Sequence, residues 1–212
     1  MKNKYLASRL LVVLSFIVGF ISFPALPQMV ASHWGLAGQV NGYQSRTFAV
    51  LFLPLLMTGL IALFFVLPKI DPLGKNIRSF QKPYDNFVLF LIGFLTYVHL
   101  LILIWNLGWK FDVVRLLIPA FGFFIFGLGQ TLPLARPNWF FGIRTPWTMS
   151  SGRVWYHTHE LAGKLYKLAG VLALGGFFWP SLAIYFMVVP IVAVSLYLII
   201  FSYFDWRKET LS

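Results

Sequence analysis

Long apolar stretches alternate with short polar segments along the whole chain. Four of these stretches carry no charged residue over most of their length. Each is close to the roughly 20 residues that an α-helix needs to cross the hydrocarbon core of a bilayer. These four predicted spans cover residues 10–27, 47–68, 86–109 and 116–135.

The C-terminal apolar stretch, residues 168–204, is too long for one span and is predicted to form two. Gly175-Gly176 and Trp179-Pro180-Ser181 supply the break between them. A fifth span that begins near Leu161 keeps two lysines, Lys164 and Lys167, close enough to the interface to snorkel. The pattern therefore predicts an all-α polytopic membrane protein with six transmembrane helices.

The composition agrees with a membrane protein. Of the 212 residues, 59% are hydrophobic and 11% are charged, against roughly 45–50% and about 25% in soluble domains. The chain has no cysteine, which excludes disulfides, thiolate metal sites and a cysteine nucleophile. The first apolar run is longer than the core of a cleavable signal peptide, so we expect a retained anchor.

The formal net charge of +11 is distributed unevenly between the two sides of the predicted membrane. Fourteen of the 17 Lys and Arg residues fall on the side of the two termini, and only Arg46, Lys110 and Arg115 fall on the other. Positively charged loops favour the cytoplasm, so both termini are predicted to be cytoplasmic. This topology accounts for the basic excess without a direct nucleic-acid partner.

The predicted spans hold few ionisable groups. None contains Asp or Glu, and His99 is the only ionisable side chain near the middle of a span. We favour a structural hydrogen bond for His99, with a role in substrate or proton movement left open. This scarcity argues against ion-coupled transport and directs attention to the loops. We expect no cofactor.

The predicted outer loop, residues 27–46, combines turn formers with aromatic side chains. Asn41-Gly42 is a strong tight-turn signal, and Gly38 permits unusual backbone geometry. His33 and Trp34 lie where the loop meets the interface, where an amphipathic ring is suited to contact a headgroup or a peptide. The alternative is a compact hairpin that only joins two helices.

The predicted inner loop, residues 135–160, alternates aromatic residues with turn formers. Gly142 allows a sharp bend, and Pro146 keeps Thr145 extended. Arg144 lies among aromatic residues and is expected near a lipid phosphate or a helix C-terminus. A helix should begin near Ser151 and run into the fifth span.

The run His157-Thr158-His159-Glu160 raises the possibility of a metal site. On a helix, two residues two positions apart point about 200° away from one another, so the two histidines should not share a metal ion. The sequence has no HExxH motif. We therefore predict that the protein is not an enzyme and binds no metal through these residues.

The inner loop resembles the signature of SdpI-type bacterial membrane proteins. The matching pattern runs from Asn138 through Gly142-Ile143-Arg144-Thr145-Pro146-Trp147 and continues with Trp155 and His159. The outer segment, from Pro27 to Tyr43, resembles a domain of unknown function that commonly precedes this signature. The resemblance covers roughly residues 10–200. It implies a two-span N-terminal module at 10–67 and an SdpI-like module at 113–204.

The resemblance implies a multi-pass immunity protein of the bacterial cytoplasmic membrane. Such a protein would meet a secreted, membrane-active toxic peptide on its outer face and hold a cytoplasmic transcriptional repressor at its inner face, with membrane lipid around it. The candidate ligand and partner residues are His33, Trp34, Gly38, Asn41, Gly42 and Tyr43 outside, and Asn138, Gly142, Arg144, Thr145, Pro146, Trp147, Trp155 and His159 inside.

Three other functions remain open from the sequence. A small transporter or flippase would need a polar route, for which His99 with Gln130 is the only hint. A membrane-embedded metal-dependent enzyme would use His33, His157, His159 and Glu160. The third is a structural or assembly subunit of a larger complex, for which the sequence offers no test.

Overall fold

The computed structural model describes residues 5–35 and 38–211. It contains six helices that are long and apolar enough to cross a membrane, which confirms the predicted all-α architecture. These are α1 (Leu6–Ser22), α2 (Arg46–Ile70), α4 (Gln81–Asn106), α5 (Val113–Thr131), α7 (Gly152–Ala173) and α9 (Ala183–Leu211). The shorter elements include β1 (Met29–Trp34), β2 (Val40–Ser45), α3 (Gly74–Ser79), α6 (Pro146–Ser150) and α8 (Gly175–Phe178), together with three single turns of 3-10 helix.

The connections between helices gather at two opposite ends of the bundle. The hairpin end comprises β1, β2, residues 107–112 and α8. The loop end comprises α3, residues 135–151 and both ends of the described chain. An even number of long helices places both ends of the described chain on the same side, and the assignment of the loop end to the cytoplasm stays a prediction from charge. Lys2 and Lys4, which enter that charge count, lie outside the described residues.

The break in the long C-terminal apolar stretch lies where the sequence predicted it. A methyl group on Gly175 would approach the Phe186 ring to 2.6 Å, and one on Gly176 would approach the Ala183 Cα to 2.9 Å. The two glycines thus let α8 turn back closely onto the start of α9. The helix before the break begins at Gly152, because the Ser151 side chain accepts a hydrogen bond from the Val154 N–H.

Helices α5 and α7 approach each other along two pairs of glycines. A Cβ added to Gly170 would lie 2.6 Å from the Gly122 carbonyl oxygen. About two helical turns further along α5, a Cβ added to Gly129 would lie 3.0 Å from the Gly163 carbonyl oxygen. Small residues allow such backbone contact between membrane helices, where packing rather than hydrophobicity drives association. We call these four residues the glycine seam.

The outer loop is a β-hairpin, but the expected tight turn at Asn41-Gly42 is wrong. The first strand ends at Trp34 and the second begins at Val40, so the chain reverses before Asn41. Among the described residues between them, the Gly35 N–H donates to the Gln39 carbonyl at 2.8 Å and Gly38 has φ +77°. Asn41 and Gly42 lie inside β2. Gly42 pairs with His33 at a bulge, where an added Cβ would lie 2.8 Å from the His33 Cβ. Close strand approach, and not turn geometry, therefore explains this glycine.

Candidate functional site

The hairpin is fixed to the end of α4 by a single side-chain amide. Asn106 accepts a hydrogen bond from the Ala31 N–H at 2.9 Å and donates one to the Ala31 carbonyl at 2.9 Å. Beside it, Trp34 packs edge-on against Trp105 with ring centroids 5.5 Å apart. On the strands themselves, the His33 Nδ1 and the Asn41 Oδ1 are 2.5 Å apart and share a hydrogen bond.

A cavity of about 890 Å³ lies beneath the hairpin, and we call it the hairpin cavity. Apolar side chains of α4, α5 and the start of α9 form its walls, while Ser32, His33, Gln39 and Asn41 form a polar roof. No Lys, Arg, Asp or Glu is among the described residues that line it. The volume falls within the range of roughly 300–1,000 Å³ that is usual for ligand sites.

The structure brings together half of the predicted outer residues. His33, Trp34 and Asn41 line the hairpin cavity, whereas Gly38, Gly42 and Tyr43 do not. Tyr43 faces outward and is 60% exposed.

The cavity walls were missed because apolar residues of a span look alike before the helices are packed. Leu117, Ile184 and Met187 are examples. Asn106 was missed as well, although a lone polar residue near the end of a span is a signal that could have found it.

At the loop end, Asn138 organises the start of the inner loop. Its side-chain amide is fully buried and donates to the carbonyls of Arg136 and Phe141, both at 2.8 Å. Its Oδ1 accepts from the Phe140 N–H at 3.0 Å and from the Phe141 N–H at 2.7 Å. Four hydrogen bonds from one side chain therefore fix the bend.

Two polar residues of the α2–α4 connection hold the inner loop from outside it. The Asp71 carboxylate accepts from the Trp139 N–H at 2.9 Å and from the Leu73 N–H at 2.7 Å. The Asn76 amide donates to the Pro137 carbonyl at 2.7 Å. The sequence reasoning overlooked both residues, because nothing in their local pattern shows a contact more than 60 positions away.

His159 uses both ring nitrogens inside the protein. The Nε2 accepts from the Ile143 N–H at 2.9 Å, and the Nδ1 lies 2.8 Å from the Trp155 carbonyl, to which it donates. The imidazole stacks on the Trp155 indole at 4.0 Å, and that indole donates to the Ala135 carbonyl. Gly142, with φ +115°, lies against the His159 Nε2, where a Cβ would collide.

The second histidine of the run has different surroundings, as the helical spacing predicted. His157 is half-exposed, and its Nδ1 lies 3.2 Å from the Asp205 carboxylate. Arg153 pairs with Asp205 at 3.1 Å and with Glu209 at 3.3 Å. Among the described residues, no group of three His, Asp or Glu side chains could hold a metal ion. Glu160 and Lys164, four positions apart on the same helix, form an exposed ion pair at 3.0 Å.

The segment from Thr145 to Ser150 docks onto α9. Thr145 and Thr148 form a reciprocal capping box at the start of α6, and the Thr145 hydroxyl lies 3.1 Å from the Ser202 hydroxyl. Pro146 occupies the first turn of α6, where its lack of an N–H costs nothing. Trp147 packs edge-on against Tyr203 at 5.1 Å.

The exposed part of the inner loop is basic and aromatic. Arg144 is exposed and donates to the Trp139 carbonyl of the same loop and not to a helix C-terminus, while its contact with a lipid phosphate stays a prediction. Trp139 and Phe140 are 51% and 39% exposed. Arg136 donates to the Tyr156 hydroxyl at 2.7 Å. We call these five residues the loop-end patch.

The predicted inner residues therefore divide by burial. Asn138, Thr145, Trp155 and His159 are buried and hydrogen-bonded within the chain. The other four, namely Gly142, Arg144, Pro146 and Trp147, are partly or fully exposed.

The polar route suggested by His99 and Gln130 does not form in the structure. His99 is fully buried against α1, where a Cβ on Gly19 would lie 3.6 Å from its Cε1. Gln130 is exposed near the loop end of α5, at the other end of the bundle.

The regions that contain the outer hairpin and the inner loop are both similar to known protein families. The model of the SdpI/YfhL protein family matches residues 135–203, and that of a domain of unknown function, DUF1648, matches residues 10–58. The chain is 26% identical over 212 residues to the Immunity protein SdpI of Bacillus subtilis (strain 168), and the alignment covers 97% of both chains. No solved structure matches the chain. With its six apolar helices, the chain is a multi-pass membrane protein whose inner loop and last two spans are similar to the SdpI/YfhL family and whose N-terminal part is similar to DUF1648.

Proposed function

We propose that this chain is an immunity protein of the bacterial cytoplasmic membrane that protects its host from a secreted, membrane-active toxic peptide. The observation that carries the proposal is the end-to-end similarity to the Immunity protein SdpI, which covers 97% of both chains. Similarity of this extent includes the hairpin and the inner loop together and is not limited to one shared helix pair.

The hairpin cavity supports this function from the structure. Its walls are apolar and its roof is polar but uncharged, which suits a ligand that reaches the protein from the membrane. A peptide that acts on membranes has such apolar surface. Because the hairpin end is predicted to face outward, the cavity would lie on the side from which a secreted peptide arrives.

Survival under toxin challenge tests the proposal. The chain is expressed in a Bacillus subtilis strain that lacks its own SdpI, and the gene is deleted in its native host. Both strains are exposed to the toxic peptides that they or their siblings secrete. We expect expression to raise survival at a fixed dose and deletion to lower it. If neither strain differs from its vector or wild-type control, immunity is the wrong function for this chain.

A second activity, retention of a cytoplasmic repressor, is supported by the loop-end patch. Exposed Trp139 and Phe140 beside Arg144 give an aromatic and cationic surface of the kind enriched in protein interfaces. The Arg144→Ala variant, tested by co-sedimentation of a repressor with membranes, should lose the repressor while keeping its own expression level. Lys75→Ala, an exposed charge at the same end, is the matched control.

A further inference from the structure

The hairpin cavity is open on one side because two of its walls do not meet. Helices α4 and α9 each pack against α5, whereas the described residues place no substantial contact between α4 and α9 themselves. The hairpin covers the gap from above through Ser32, His33 and Asn41. The cavity is therefore a slot, closed at the back by α5 and open sideways toward the lipid.

The slot is large enough to admit one helix. Its walls run from Phe94 to Ile102 on α4 and from Val113 to Phe121 on α5, a depth of about 12 Å at the helical rise. Dividing the volume of about 890 Å³ by this depth gives a cross-section of about 75 Å². A helix about 10 Å across has a section of about 80 Å². A single lipid acyl chain is much narrower.

The chemistry of the slot also fits the end of an uncharged helix. Leu117, Ile184 and Met187 offer only apolar contact along the walls. A helix terminus leaves four backbone groups without intrahelical partners, and these need hydrogen bonds in a membrane. The roof provides neutral donors and acceptors for them in Gln39 and in the His33–Asn41 pair.

We propose that the hairpin cavity receives one uncharged, apolar helical segment of a membrane-inserted peptide, which enters sideways between α4 and α9 and places one end under the hairpin. The identity of the peptide as a toxin rests on the proposed function. The fit of a helix to the slot does not depend on it.

Cross-linking in vesicles tests the fit, and the absence of native cysteine makes single-cysteine variants simple to build. The full chain with Met187→Cys is reconstituted in phosphatidylglycerol and phosphatidylethanolamine vesicles. The probe is a synthetic Leu/Ala helix of about 20 residues with one cysteine near its end. We expect its disulfide yield at position 187 to exceed that of Tyr185→Cys, which is 61% exposed on the same helix, by on the order of tenfold.

Filling the slot should abolish this cross-link. Leu117→Trp, placed in the Met187→Cys background, adds bulk to the back wall and should reduce the yield to that of Tyr185→Cys. Phe123→Trp on the same helix is the matched control, because Phe123 is 68% exposed and outside the cavity. Resistance of each variant to trypsin shows that it is folded. A loss of cross-linking in a folded variant then comes from the filled slot and not from misfolding.

Three outcomes would overturn the proposal. Equal yields at positions 187 and 185 would show that the peptide does not enter the slot. A photoreactive phospholipid that labels the slot and is not displaced by the peptide would assign it to lipid. A Met187→Cys disulfide between two chains would assign it to a second copy.

The survival assay separates this proposal from the proposed function. Cross-linking without protection would keep the helix site and reject immunity. Protection by the Met187→Cys chain, together with a cross-linking yield no higher than that of Tyr185→Cys, would keep immunity and reject the helix site.

Discussion

Gly142 is the residue on which the geometry of the inner loop depends most directly. Its φ of +115° is a backbone conformation that other residues resist, and its missing side chain leaves room for the His159 ring. His159 in turn accepts the Ile143 N–H and stacks on Trp155. One glycine thus determines whether the histidine can hold the loop against α7.

We predict that Gly142→Ala destabilises the protein by roughly 2–4 kcal/mol, because it adds both backbone strain and a collision with a buried ring. Thermal unfolding in detergent measures the change. Gly152→Ala is the control, since a Cβ there would meet no described heavy atom within 4 Å. Equal melting temperatures for the two variants would contradict this account of the loop.

Sequence reasoning identified Gly142 and His159 as members of one motif but not as contacting residues. Their separation of 17 positions gives no indication of distance until the loop folds back on α7. The same limit applied to Asp71, which contacts Trp139 from 68 positions away in the chain. A sequence shows residue types and local spacing, whereas hydrogen bonds over long separations follow from packing.

At the level of elements, α5 and α7 form the most closely packed helix pair of the SdpI-like half. The glycine seam allows backbone contact, with the Gly122 carbonyl and Gly170 at one level and Gly129 and Gly163 at another. Because α5 forms the back of the hairpin cavity and α7 holds the inner loop through Trp155, this pair connects the two ends of the molecule structurally.

We predict that Gly170→Ala lowers stability by roughly 1–3 kcal/mol, since the new methyl group would lie 2.6 Å from the Gly122 carbonyl oxygen and the helices would have to separate. Gly59→Ala on α2 is the matched control, as its Cβ would meet nothing among the described residues within 4 Å. Denaturant titration of both variants in the same micelle gives the difference. A Gly170→Ala protein as stable as Gly59→Ala would show that the seam tolerates bulk.

Hydropathy predicted the helices well because the length of a span is set by the bilayer and not by tertiary contacts. It also predicted the break before α9, where Gly175 and Pro180 interrupt the helix locally. The predicted position of the hairpin turn was wrong. Asn41-Gly42 is typical of a tight turn, but a glycine is equally suited to a strand bulge where the neighbouring strand approaches closely. The hairpin cavity was beyond prediction, because it exists only once α4, α5 and α9 have taken their places.

At the level of the whole molecule, charge and shape divide the protein into two unlike ends. The hairpin end has an apolar cavity with a neutral roof, and the loop end has most of the cationic residues and an ion-pair cluster around Arg153. Such asymmetry fixes the orientation of a membrane protein.

We predict that the loop end faces the cytoplasm. In whole cells, Lys110→Cys at the hairpin end should react with a membrane-impermeant maleimide, and Lys75→Cys at the loop end should react only after permeabilisation. The cysteine-free parent is the background control. The reverse labelling pattern would invert the topology and, with it, the side on which each proposed partner binds.

Asn106 gives the hairpin edge what an adjoining strand would give it. Its amide occupies both the donor and the acceptor of Ala31, a residue that is only 1% exposed. Without that amide, a backbone N–H and a carbonyl would be shut away from water with no partner, which costs roughly 1–3 kcal/mol for each group. One side chain at the end of α4 therefore makes it possible to bury the edge of a two-stranded ribbon against a helix.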